Sequence, residues 1–113
     1  MARARRATDG NGTVYIAIEC KGCDERHTVV VARGIGDIGP VWGFNGSLEL
    51  PTFTPSLRVT WPANPNAIAG FEEWRTERCC HSFVADGRIQ YLGDCTHSLA
   101  GQTIDLPEIS GVE

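Results

Sequence analysis

The sequence predicts a mainly β protein: a small single-domain antiparallel sheet or barrel-like sandwich of about seven short strands with one or two short helices, stabilised by zinc. Three observations carry this. Short β-branched runs alternate with turn residues, and the chain holds thirteen glycines and six prolines. Asn45-Gly46 and Asp86-Gly87 are tight-hairpin signals, because such turns need positive φ and glycine supplies it without steric cost. Five cysteines and three histidines fall in two groups that paired strands can bring together. A chain of 113 residues suits one domain. Such a domain buries roughly two-thirds of its unfolded surface, enough for a modest core.

Residues 1–12 are expected to be a disordered basic tail, with Arg3, Arg5 and Arg6 followed by Asp9-Gly10-Asn11-Gly12. The domain itself is placed at 13–107. Val14, Ile16 and Ile18 alternate onto one face of a first strand. Cys20-Lys21-Gly22-Cys23 turns the chain, and His27-Thr28-Val29-Val30-Val31 returns beside it, so the cysteines sit at a hairpin tip. Residues 34–40 form a loop; their glycines lack the strand-then-helix context of a phosphate loop. Residues 41–44 and 47–50 flank the Asn45-Gly46 turn. Pro51 and Pro55 remove ladder donors, so 51–56 is an edge or crossing segment. Leu57, Val59 and Trp61 alternate in a clear strand.

Residues 62–78 are the least regular. Asn66 can cap a short helix over 67–75, with Ile68, Phe71 and Trp74 on one side. Two strands then flank Asp86-Gly87. Residues 98–101 read as one helical turn with Gly101 as its cap. Residues 102–106 form a last strand, stopped by Pro107, and 108–113 is an acidic, frayed tail.

A net charge of −4 argues against a nucleic-acid or anionic-membrane partner. No apolar run approaches the ~20 residues of a membrane span. No hydrophobic segment follows the basic start, so no secretory signal is expected and the cytoplasm is the expected compartment. An odd number of cysteines in a reducing compartment points to metal rather than disulfides.

The chemistry converges on the mouth of the hairpin at Asp86-Gly87. Cys79, Cys80 and His81 open one arm; Asp94, Cys95 and His97 close the other. A two-residue turn sets Ala85 opposite Arg88 and Cys80 opposite Gly93, with Cys95 and His97 continuing along that face. A three-residue turn with a bulge puts His81 on a face with Cys95 and His97 instead. A one-residue slip flips every side chain, so the two registers predict different sites.

Cys20-x-x-Cys23, Trp42-x-Phe44-Asn45-Gly46, Pro51-Thr52-Phe53-x-Pro55-Ser56, Cys80-His81-Ser82-Phe83 and Asp94-Cys95-Thr96-His97-Ser98-Leu99-Ala100-Gly101-Gln102-Thr103 stand in one order. In that order they resemble a small phage and prophage family known as domain of unknown function 6527. The resemblance covers residues 14–107, and its last motif is the specific one. Relatives of that family resemble zinc peptidases that sit beside bacterial ubiquitin-like conjugation genes. The resemblance therefore implies zinc, peptidase chemistry, and a peptide or protein substrate with a ubiquitin-like tail. It also implies a host-cell cytoplasm for a phage-encoded chain. Cys79 and the 62–78 excursion depart from the family pattern.

Four readings of the site compete. In the first, Cys20, Cys23, Cys80 and Cys95 close a tetrahedral, water-free structural zinc site. In the second, His81, Cys95 and His97 hold a catalytic zinc with an open water position. Asp94 would orient an imidazole there, and Glu49 would be the general base. In the third, Cys80 or Cys95 is a nucleophile activated by His81 or His97. In the fourth, a zinc-stabilised β module binds a protein partner through Trp42, Phe44, Trp61, Phe71 and Trp74. The favoured expectation is a zinc-dependent peptidase. Its metal ligands are drawn from Cys20, Cys23, Cys80, His81, Cys95 and His97, and its catalytic residues are Glu49, Asp94 and His97.

Overall fold

Alternation of small and β-branched residues builds three antiparallel sheets. The computed structural model describes residues 2–71 and 75–109. The first sheet has the order β1 (Ala4–Thr8), β2 (Val14–Cys20), β3 (Glu25–Ala32). A two-stranded ribbon pairs β4 (Gly43–Phe44) with β5 (Phe53–Thr54). The last sheet has the order β6 (Leu57–Trp61), β7 (Arg78–Ala85), β8 (Arg88–Tyr91), β9 (Thr103–Asp105). Among the described residues these are nine strands, with no α-helix and no helix long and apolar enough to cross a membrane.

The core forms where the inward faces of the two larger sheets meet. Ile16, Ile18 and Cys20 of β2 and Val29 of β3 join Cys80 and Val84 of β7 and Ile89 and Tyr91 of β8 in one buried cluster. Ala4, Phe53, Leu57 and Leu106 complete it. Phe44 stacks on Phe53 with ring centroids 5.4 Å apart.

The expected tail at 1–12 is corrected over residues 3–8. Residues 4–8 pair with β2 from Ala4↔Ile18 to Thr8↔Val14. Ala4 is buried, and the amides of Arg3 and Ala4 both donate to the Leu48 carbonyl at 2.8 and 3.0 Å. Backbone pairing holds this strand, and an Ala/Arg run carries no apolar periodicity to announce it.

The strand expected at 47–50 is also corrected. Asn45 uses its side chain to organise a longer loop: Oδ1 accepts the amides of Ser47 and Thr52, and Nδ2 donates to the Leu50 carbonyl. Phe44 therefore pairs with Phe53. Residues 67–71 and 98–101 are turns or irregular rather than the expected helices, Gly101 taking a φ of 80°. Residues 72–74 of the expected first helix, and 110–113 of the acidic tail, lie outside the described residues.

The Asp86-Gly87 hairpin takes the two-residue register, Ala85↔Arg88 and Val84↔Ile89. Both turn residues are left-handed, with φ of 51° and 77°. An added Cβ at Gly87 would lie 2.9 Å from Leu50 Cδ2 and 3.3 Å from Leu50 Cα. Gly87→Ala is therefore expected to lower stability by about 1–2 kcal/mol from backbone strain, with the Leu50 contact adding to it. A thermal or urea melt measures this.

Candidate functional site

β7 divides its side chains between two faces. Cys80, Ser82 and Val84 are buried between the sheets, whereas His81 is half-buried and Phe83 exposed on the outer face. Each face carries its own cluster.

On the inner side, Cys20 ends β2 and Cys23 follows in the turn before β3. The Cys20 and Cys80 sulfurs are 3.8 Å apart, and the Cys23 amide donates to the Cys20 sulfur at 3.4 Å. His27, on the inward face of β3, is 5% exposed, and its Nε2 has no hydrogen-bond partner. The ligand atoms of Cys20, Cys23, His27 and Cys80 all lie within 4.8 Å of one another. A buried ring nitrogen left unpartnered costs about 1–3 kcal/mol, and a cation between it and the sulfurs removes that cost. Three thiols and one imidazole at these separations suit a tetrahedral ion of zinc type.

The electrostatics agree with a cation there. The crowded thiols stabilise one thiolate among themselves. Hydrogen bonding from Cys23 and then Cys80 holds Cys20 far below the usual thiol range. The bond to Cys20 pushes Cys23 up to about 12 and raises Cys80 as well. A divalent ion would supply the positive charge that lets all three ionise.

A second group, Cys80, Cys95 and His97, shares Cys80 with the first. His97 Nδ1 accepts the Leu99 amide at 3.2 Å, so Nε2 carries the proton of the neutral ring and faces the Cys80 sulfur at 3.4 Å. The Tyr91 ring meets His97 edge-on at 4.6 Å, and its hydroxyl lies 3.2 Å from the Cys20 sulfur. Gly22 must stay small, because a Cβ there would run into the His97 ring. A cavity of about 340 Å³ opens beside these groups, with Cys23, Trp61, Cys79 and His97 in its wall.

The outer face holds a different arrangement. Ser56 directly precedes β6, and its Oγ lies 3.0 Å from His81 Nε2. His81 Nδ1 lies 3.1 Å from Asp94 Oδ2. The carboxylate can only accept, so Nδ1 carries the proton of the neutral ring and Nε2 accepts from the Ser56 hydroxyl. A hydroxyl, an imidazole and a carboxylate thus stand in a relay fit for nucleophilic acyl transfer. Cys95 steadies the middle member: its sulfur accepts the His81 amide at 3.2 Å and donates to the His81 carbonyl at 3.1 Å.

Of the residues expected from sequence, Cys20, Cys23 and Cys80 are brought together, as are Cys80, Cys95 and His97. His81 belongs to neither group, both its ring nitrogens being engaged by Ser56 and Asp94. Glu49 is exposed in the loop before Pro51, where its carbonyl accepts from Arg3, and it joins neither group. Trp42 donates its indole N–H to the Ser56 carbonyl, and Trp61 lies 6.2 Å from the His27 ring with its side chain in the cavity wall. Trp74 lies outside the described residues.

Sequence reasoning missed Ser56 and His27 as members of these two clusters. Ser56 stands inside a motif already noted, but only the β6–β7 register, Arg58↔His81, brings it to the imidazole. His27 was legible as a histidine four residues beyond Cys23.

A family model described as "Bacterial ubiquitination-like system serine protease (BubE)" matches residues 3–92. The match includes Ser56 and His81 and stops just short of Asp94. No curated protein and no solved structure matches the chain. The family description names a serine protease, where the motif resemblance implied a zinc peptidase.

Metal analysis of the purified protein is expected to find one tightly held divalent ion, and chelation is expected to lower the melting temperature. Cys20→Ser or His27→Ala is expected to reduce the bound metal severalfold, whereas Glu49→Ala leaves it at the wild-type level.

Proposed function

The chain belongs to the BubE family, and from that membership together with the Ser56–His81–Asp94 relay we propose that it is a serine peptidase acting on a protein of a ubiquitination-like system. Ser56 Oγ is the nucleophile. It adds to the carbonyl of the scissile bond while its proton passes to His81 Nε2. Asp94 holds the ring in the required tautomer and stabilises the imidazolium. His81 then gives the proton to the leaving amine, and water, deprotonated by His81, releases the acyl group from Ser56. The observation that carries this reading is the pair of contacts at 3.0 and 3.1 Å joining three side chains on one face.

The inner cluster serves this chemistry as a zinc-bound scaffold. Cys20, Cys23, His27 and Cys80 would hold the ion, with His97 beside it. Zinc with a full set of protein ligands supplies folding free energy rather than an activated water. All five cysteines are free thiols, which fits a reducing cytoplasm, including that of a host cell if the chain is phage-encoded as its motifs suggest. The substrate implied is a peptide or protein, in particular the tail of a ubiquitin-like partner.

A second reading, hydrolysis at zinc itself, is favoured by the Cys80, Cys95 and His97 group beside the 340 Å³ cavity. There Cys95 and His97 would hold the ion, whereas Glu49, next to the Leu50 that packs on Gly87 at the turn end of the hairpin, lies away from it and would not serve as the base.

One experiment separates the two. Under the serine reading, a fluorophosphonate labels wild-type protein at Ser56, and Ser56→Ala abolishes labelling and lowers kcat by ~10³-fold or more with its metal content intact. Full activity in Ser56→Ala, with loss in His97→Ala, would establish the zinc reading instead.

A further inference from the structure

β6 begins at the residue after the nucleophile and lies at the edge of its sheet. Which of its backbone groups are free follows from β7. The Cys79 carbonyl accepts the Thr96 amide and the Cys79 amide donates to Thr96 Oγ1. The His81 carbonyl accepts the Leu92 amide and the His81 amide donates to Cys95. Residues 79 and 81 thus turn their backbone groups away from β6, so residues 78, 80 and 82 face it. Their partners are Trp61, Val59 and Leu57. Successive residues of a strand present their N–H and C=O to opposite sides. Arg58 and Thr60 therefore direct theirs to the open side of β6.

The same alternation places the Ser56 carbonyl on that open side, where the Trp42 indole N–H meets it at 3.2 Å. Beyond that contact, no partner from the described residues bonds the backbone of Arg58 or Thr60 on this side, and both side chains are exposed. Two residues two apart thus offer a donor and an acceptor each, beginning two residues after the nucleophile. An unpaired edge of this kind is a template for another strand.

We propose that the open edge of β6 is the substrate-binding strand: an extended peptide segment of the protein substrate pairs with Arg58 and Thr60 and so delivers its scissile carbonyl to Ser56. This rests on the serine peptidase reading and adds to it how substrate is held. Recognition is through main-chain hydrogen bonds, which suits an extended stretch with its backbone groups free, such as a terminal tail. Most backbone groups of a folded domain are already paired, so only an open edge strand of its own could compete for this edge.

The test uses wild-type protein and a peptide aldehyde, acetyl-Leu-Arg-Gly-glycinal. The Ser56 oxygen adds to the aldehyde carbon, and the hydroxyl proton ends on the new alkoxide, so nothing leaves. Mass spectrometry reads the adduct, and amide hydrogen exchange by NMR reads the edge. Exchange at Arg58 and Thr60 is expected to slow about tenfold or more on adding the peptide aldehyde, but not with acetaldehyde. Leu57 and Val59, already bonded to β7, are expected to change little. N-methylation along the peptide is expected to weaken inhibition about tenfold at alternate amides only. An adduct at Ser56 without slowed exchange at Arg58 and Thr60, or equal losses at adjacent amides, overturns the strand proposal and leaves the serine nucleophile standing. No adduct at all removes the serine reading, and the strand proposal with it.

Discussion

Cys20 and Cys80 meet across the two larger sheets, and the rest of the molecule depends on that contact. Their sulfurs, 3.8 Å apart, come from strands sixty positions apart in the chain. Around them the apolar core is thin: Ile16, Ile18 and Val29 on one side, Val84, Ile89 and Tyr91 on the other. A domain of this size buries enough surface for a modest core only. The clustered thiols stabilise a single thiolate at Cys20, while ionising Cys23 or Cys80 beside it carries a cost. A cation held also by Cys23 and His27 would reverse that balance. A structural zinc in such a site would supply on the order of 10 kcal/mol, comparable with the whole stability of a small domain.

The same contact reaches the outer face through single peptide bonds. Cys80 is followed by His81, and Asp94 is followed by Cys95. Cys95 then holds the His81 amide and carbonyl, while Thr96 holds the backbone of Cys79. The imidazole is therefore fixed by the inner cluster below it and by the 94–97 segment beside it. Acyl transfer needs its groups held within about half an ångström, which loops alone rarely achieve. Here the thiol-rich layer is the support and the Ser56–His81–Asp94 relay is what it supports. Fixing His81 also fixes the register of β6, because Arg58 lies directly opposite it.

Much of this was legible in the sequence. The β-rich runs and the Asp86-Gly87 turn announced the class and the central hairpin, and the Cys-x-x-Cys turn announced the tip of β2–β3. Local chemistry decides those features, so local sequence reveals them. What stayed hidden depends on pairing between distant strands. The segment 4–8 has no apolar alternation and is a strand because β2 offers it an edge. Asn45-Gly46 carries a strong turn signal, but the Asn45 side chain bonds the Ser47 and Thr52 amides and so redirects β4 to Phe53. Ser56 could not be picked out from other serines, since nothing within ten residues of it announces its contact with His81. His81 looked like a metal ligand because histidine beside cysteine commonly is one. The alternation of β7 turns it to the other face.

That alternation also explains how one strand could serve the two proposed chemistries without conflict. A thiolate cluster and a general base are poor neighbours: a soft metal ion would capture a free imidazole nitrogen, and an ion-bound histidine cannot accept a proton from serine. β7 separates them by one residue, which in a strand means opposite faces. The separation holds only while the register holds. In the two-residue turn Ala85 faces Arg88, and the buried Val84 and Ser82 lie opposite the buried Ile89 and Tyr91. A bulged turn would slip β8 by one residue, sending Ile89 and Tyr91 outward and drawing Arg88 and Gln90 into the core. The cost of burying a charged arginine without a partner makes that state inaccessible. Tyr91 secures the chosen register from within, its hydroxyl bonding both the Cys20 sulfur and the Gly22 amide. The residue that packs the core thus also ties the metal-side turn to the strand pair presenting the histidine, so the division between inner thiols and outer base is set by the hairpin itself.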